Sequence, residues 1–162
     1  TRGLSPTQAG VILSVSAALW AAGAFIQGRV PPDRDRSTLV RAGAIIVTVA
    51  LLTLPLAVLT SLPPWVAAVS WGAIATGVGL AVPSISVQVT RLSPRESLGA
   101  NSASIQIMDS VLSVIVVSLL GFGHAYAEMH GGATAVTYAL LWAAAATMGV
   151  LAAVLAGRMR PA

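Results

Sequence analysis

The chain has no cysteine among its 162 residues. That absence excludes a disulfide framework, a thiolate metal site and a cysteine nucleophile. Lysine is missing as well, so all nine basic residues are arginine and no Gly-Lys phosphate loop exists. There are five acidic residues, and charged residues make up only 9% of the chain, too few to cover the surface of a water-soluble domain. Aromatic residues, at 5%, are too sparse to interleave with the arginines as a base-stacking platform. Neither a Ser-His-Asp arrangement nor a His-Glu-x-x-His motif occurs, so the sequence supports no enzymatic chemistry. The first apolar block has neither a basic segment before it nor a small-residue cleavage site, so it does not read as a signal peptide.

What fills the chain is hydrocarbon: 56% hydrophobic residues and a mean hydropathy of +0.86. It falls into five apolar blocks, at about 9–28, 39–62, 65–88, 98–122 and 133–157. Each is long enough to cross a hydrocarbon core about 30 Å thick as a helix. The predicted fold is all-α, a polytopic membrane bundle of five transmembrane helices forming one domain over 1–162. The arginines lie on alternate loops. Arg29, Arg34 and Arg36 lie between blocks one and two with Arg41 at the very start of block two, Arg91 and Arg95 separate three and four, and Arg158 and Arg160 follow five. Only Arg2 falls on the other side. The positive-inside rule therefore predicts an outside start and a cytoplasmic end. Topology also accounts for the pI of about 11.2, so no nucleic-acid partner is expected.

Local signals punctuate the blocks. Ser5 is a candidate N-cap with Pro6 at the first helical position, and Pro31-Pro32 forbid continuation of helix one. Pro55 predicts a kink in helix two, and Gly77, Gly79 and Pro83 predict a looser inner half of helix three. Residues 124–132 read as an outer loop.

The helices differ in their polar residues. Helix one carries Ser16, Trp20, Gly23 and Gln27 on one face, and helix three carries Ser70, Gly77, Ser84 and Gln88. Helix four aligns Ser102, Gln106, Asp109 and Ser113. Helices two and five offer mainly threonines, which satisfy themselves on their own backbone. This pattern predicts helices one, three and four against protein or water, with two and five facing lipid. Small-residue ridges at Ser14, Ala18 and Ala22, and at Gly149, Ala153 and Gly157, predict close helix packing.

Asp109 is the only charge deep within a span. A carboxylate near the bilayer midplane costs at least about 2.5 kcal/mol, which marks it as a functional candidate. Either it is protonated and hydrogen-bonded to Gln106, Ser110 or Ser113, or a base from outside the chain pairs with it. A carboxyl that releases its proton when water arrives from one side is a proton carrier; a permanently neutral one is a structural tie. Gln106, Ser113, Ser84, Gln88 and Trp20 are the accompanying candidates for a substrate and proton pathway. Trp20 suits stacking on a cationic or aromatic substrate, or plain packing. Asp33, Arg34, Asp35 and Arg36 form either an inter-helix latch or a solvated turn. His124, Glu128 and His130 have metal-ligand character without a fourth ligand, and neither a metal nor another cofactor is expected.

Several segments resemble a known family. Leu4-Ser5-Pro6-Thr7-Gln8-Ala9-Gly10 is similar to the entry into helix eight of bacterial major facilitator superfamily transporters. Gly23-Ala24-Phe25-Ile26-Gln27-Gly28-Arg29 resembles the second, degenerate copy of that family's signature loop, with Gln27 where aspartate is usual. The signature region here comprises Gln27, Arg29, Asp33 and Arg34. Arg91-Leu92-Ser93-Pro94 with Gly99, Asn101, Gln106 and Asp109 is similar to the junction of helices ten and eleven in actinobacterial-type exporters. The resemblance implies the C-terminal part, helices eight to twelve, of a twelve-helix transporter in a bacterial plasma membrane. It further implies two bundles rocking about a midplane site, with an amino-terminal bundle as partner. The function expected is secondary active transport of small organic molecules, proton-coupled efflux of a drug or metabolite. The alternative is a complete five-span scaffold or oligomeric protein without transport activity.

Overall fold

The structure, a computed structural model, describes residues 5–31, 34–60, 62–132 and 134–156. Ser5 opens the first helix with a reciprocal cap. Its hydroxyl accepts from the Gln8 amide at 3.2 Å, and its own N–H donates to Gln8 Oε1 at 2.9 Å. Pro6 fills the first turn, where its missing N–H costs nothing, so α1 runs Pro6–Gly28. The others are α2 Ser37–Leu59, α3 Pro64–Leu92, α4 Leu98–Met129 and α5 Ala135–Ala156. No strand occurs among the described residues. All five helices are long and apolar enough to cross a membrane, with mean hydropathies from 1.6 to 2.1. The chain is an all-helical, multi-pass membrane protein.

Two helices outrun their apolar blocks. α3 continues past residue 88 to Leu92, with the Thr90 hydroxyl donating to the Ser86 carbonyl at 3.0 Å and Arg91 in its last turn. A cation there complements the helix dipole. Ser93 then turns extended (φ −86°, ψ 133°), as a residue preceding proline prefers, and Pro94 ends the helix. α4 continues through Met129, so most of the segment expected as an outer loop is helical. Hydropathy falls there but helix propensity does not: Ala125, Ala127, Glu128 and Met129 are good helix formers. Aromatic pairs one turn apart, Phe122 with Tyr126 and Tyr126 with His130, brace the same stretch. At 1.5 Å per residue α4 is about 48 Å long, so it projects beyond a core about 30 Å thick. The reversal into α5 falls at Gly131 and Gly132, whose φ of 124° and 91° suits glycine alone. Pro55 and Pro83 lie inside α2 and α3, which run on through them.

The helices pack in the order α1–α3–α2–α5, and each contact is made through small residues. A Cβ placed on Gly23 would stand 2.5 Å from the Thr76 carbonyl oxygen, and one on Gly79 would strike the Trp20 carbonyl oxygen. Likewise a Cβ on Gly43 would meet the Gly77 oxygen at 2.5 Å, and one on Gly149 would meet Thr48 Oγ1 at 2.6 Å. Backbones this close gain dispersion contacts that lipid tails do not replace, which is the main attraction between helices in a bilayer. Thr53 Oγ1 and Ser70 Oγ add a hydrogen bond of 2.6 Å between α2 and α3.

This order corrects the expected arrangement. Helix two is not peripheral: it lies between α3 and α5, and a third of its most apolar window is buried. Its threonines mark packing positions, with Thr48 seated against Gly149 while its hydroxyl donates to the Ala44 carbonyl at 2.7 Å. No residue of helix four, expected against protein or water, is buried by the other described helices. Gly77 and Gly79 serve close approach on two sides of α3. The ridge Ser14, Ala18 and Ala22 is exposed, and α1 packs instead through Ser16, Gly23 and Gln27. The predicted ridge on helix five is seated at Gly149, while Gly157 lies outside the described residues.

Candidate functional site

Two polar regions stand out, and the predicted site residues divide between them. The first lies where the α1–α2 turn meets the end of α3. Arg36, only 4% exposed, folds back under the end of α1. Its Nη1 donates to the Gln27 carbonyl oxygen at 2.9 Å and also to Gln27 Oε1, and its Nη2 donates to the Val30 carbonyl oxygen at 2.8 Å. The terminal carbonyls of a helix have no partner within it and carry its negative dipole end, so a guanidinium is suited to this place. The neighbouring Asp35 forms an Asx turn. It accepts from the Ser37 N–H at 2.9 Å and from the Ser37 hydroxyl at 2.5 Å. Gln88, near the end of α3, donates through Nε2 to Asp35 Oδ1 at 2.9 Å. Hydrogen bonds from the Ser37 hydroxyl and N–H, then from Gln88, and the nearby charge of Arg91 hold the Asp35 carboxyl below its ordinary range.

One turn thus ties three helix ends together, through neutral Gln27 and Gln88 as well as charged Asp35 and Arg36. Of the predicted loop residues, Gln27 is at its centre. Arg29 lies outside it, stacked over the Phe25 ring at 4.4 Å, and Arg34 is exposed. Asp33 lies outside the described residues. Gln88, expected in the transport pathway, belongs to this turn. Ser84, one turn before it on α3, is fully buried, with its hydroxyl donating to the Leu80 carbonyl at 2.6 Å. For Asp35 and Arg36 sequence reasoning does not separate a latch from a solvated turn; the fold makes them a tie between helix ends, with Arg36 buried and the Asp35 carboxylate exposed. The signal that points there is an Asp-x-Ser spacing directly before an apolar run, which reads as a helix-initiating Asx turn.

Removing Arg36 tests how firmly this turn is held. In Arg36→Met the Gln27 and Val30 carbonyls lose charged donors in a buried place. The expected loss is about 2–3 kcal/mol, from the usual worth of hydrogen bonds to charged groups. The check is unfolding in mixed micelles followed by circular dichroism, with Arg34→Met expected to stay within about 0.5 kcal/mol.

The second region is the polar side of α4. Ser102, Gln106, Asp109 and Ser113 are all exposed, sharing one face as their spacing predicts but without a neighbouring helix over them. Asp109 makes no hydrogen bond or ion pair with any described residue; the hydroxyl of Ser110 donates instead to the Gln106 carbonyl at 2.8 Å. It lies about 17 Å along α4 from Leu98 at 1.5 Å per residue. The contacts of α4 gather near its ends. At one end Asn101 donates to Ser93 Oγ at 2.8 Å, and at the other the His124 ring lies 5.5 Å from the Tyr138 ring and Gly123 approaches Leu141. Trp20 is 46% exposed on α1, and its backbone rather than its ring makes the close contact with Gly79 of α3. The structure does not bring Trp20, Ser84 or Gln88 to Asp109 by any hydrogen bond.

His130 turns back onto its own helix, with Nδ1 2.8 Å from the Tyr126 carbonyl oxygen. Among the described residues no three His, Asp or Glu side chains are grouped to hold a metal ion. No family model matches this chain, and no match is found to a curated protein or to a solved structure.

Proposed function

We propose that this bundle forms one half of a secondary active transporter of the major facilitator type, exporting small organic molecules in exchange for protons. The observation that carries the reading is Asp109, a carboxyl deep in a span, on a helix face that no described residue covers. A carboxylate turned to lipid there costs about 2.5–3.5 kcal/mol, so the face requires either a second helical bundle or a water-filled path. A rocking pair of bundles supplies both in turn. The partner bundle would cover α4, and Gln106, Asp109 and Ser113 would line the passage for substrate and proton. The family resemblance of the Gly23–Arg29 segment and of the α3–α4 junction supports the same reading. The alternate-loop arginines support a bacterial plasma membrane location with the start of the chain outside and its end cytoplasmic.

The test is accumulation of cationic dyes by inverted membrane vesicles from cells expressing the complete reading frame. An inside-acid gradient is expected to drive uptake, and collapse of the gradient with a protonophore is expected to release the dye. Uptake indifferent to the gradient rules out proton coupling. No uptake of any dye, with the protein recovered as a stable homo-oligomer, supports a scaffold that buries the α4 face against copies of itself.

A further inference from the structure

The groove between α2 and α5 has features that the packing of the two helices does not require. Its floor is the contact of Thr48 with Gly149, and the Thr48 hydroxyl is satisfied there by the Ala44 carbonyl. Its walls are Ile45 and Val49 on α2 with Val150, Ala153 and Val154 on α5, enclosing about 510 Å³. Among the described residues, Arg41 is the single charged side chain that lines it. Arg41 is exposed and makes no hydrogen bond or ion pair with any described residue, unlike its buried neighbour Arg36. An unpaired guanidinium one turn inside a membrane helix is held at the lipid–water boundary, where an anionic partner is worth most.

The dimensions fit one occupant. From Arg41 to Val49 the groove descends eight residues of α2, about 12 Å at 1.5 Å per residue. That is close to the depth of one leaflet, about half of a 30 Å hydrocarbon core. A peptide helix is too wide for a slot whose floor is a direct helix–helix contact, and a free anion leaves the apolar walls unused. We infer that the groove binds an anionic phospholipid, with one acyl chain between α2 and α5 and its phosphate paired with the Arg41 guanidinium. A planar guanidinium suits a phosphate, since two parallel N–H donors meet two oxygens. None of the lining residues belongs to α4, so the site does not depend on the transport reading.

Native mass spectrometry of the purified protein, titrated with dioleoyl phosphatidylglycerol or dioleoyl phosphatidylcholine, tests the inference. The anionic lipid is expected to be retained about ten times more strongly, and Arg41→Gln is expected to bring it down to the level of the zwitterionic one. Arg34→Gln, in the exposed turn, is expected to leave the ratio unchanged. Ala153→Phe fills the groove and is expected to remove adducts of both lipids while circular dichroism stays unaltered. Equal retention of the two lipids by the unmodified protein overturns the inference, as does an Arg41→Gln variant that keeps the preference. Competition by glycerol phosphate at matching concentration also overturns it, because that ligand has the headgroup chemistry without the chain.

Discussion

Gly79→Ala is expected to destabilise the protein, although alanine is the better helix former. In an unhindered helix the change from glycine to alanine gains about 1 kcal/mol. Gly121, where an added methyl would meet nothing within 4 Å, is the place to see that gain or a neutral result. At Gly79 the new methyl strikes the carbonyl oxygen of Trp20 and comes within 3.2 Å of the Ala24 nitrogen. These are backbone atoms, so no rotamer change relieves the clash and α1 has to move away from α3. Overpacking of this kind costs about 1–3 kcal/mol, and the separation also loosens Gly23 from Thr76. The expected net loss is about 3 kcal/mol, with Gly79→Leu failing to fold. Because both glycines serve one contact, Gly23→Ala added to Gly79→Ala is expected to cost much less than the sum of the two. Unfolding midpoints in mixed micelles measure all of these variants. Equal stability of Gly79→Ala and Gly121→Ala removes close approach as the cause of the α1–α3 contact.

The same glycines show how far the sequence can be read. Block length and arginine placement suffice for five helices, because both follow from the thickness of the bilayer and the cost of burying charge. The capped start of α1 is legible because Ser5, Pro6 and Gln8 act within one turn. The polar faces of α1 and α3 are largely legible as packed faces, since Ser16, Gly23 and Gln27 and Ser70, Gly77, Ser84 and Gln88 are buried, although Trp20 on the same α1 face is 46% exposed. Which helix sits in the middle is not legible from polarity. Hydropathy separates lipid-facing from protein-facing sides poorly when both are apolar, and the spacing of small residues decides instead. Gly43 and Thr48 on α2 carry that signal, and a count of polar side chains passes over it. The Asx turn at Asp35 is legible, but the burial of Arg36 is not, for another reason. Arg36 and Arg34 differ by two positions in a polar stretch, and only the fold of the α1 end makes one a buried donor and leaves the other in water.

Asp109→Asn is expected to abolish gradient-driven dye uptake while leaving the fold intact. Asparagine matches the carboxyl in size and in polarity, but it has no proton to release, so a cycle that requires release stops there. Within the described helices Asp109 has no hydrogen-bond partner and is exposed, so the change is expected to cost this bundle no more than about 0.5 kcal/mol. The informative measurement is the contrast between two assays on the same vesicles. Uptake driven by an inside-acid gradient is expected to fall to the level of empty vesicles. Exchange of labelled for unlabelled dye, which needs the carrier to reorient but not to deprotonate, is expected to continue. Asp109→Glu restores an ionisable group about one methylene further out and is expected to recover part of the driven uptake. Gln106→Ala, one turn away, alters a neighbour rather than the carrier and is expected to shift dye preference with coupling retained. Full driven uptake by Asp109→Asn removes the proton-carrier role. Loss of exchange together with loss of the folded protein would instead assign the carboxyl to holding α4 against its partner bundle.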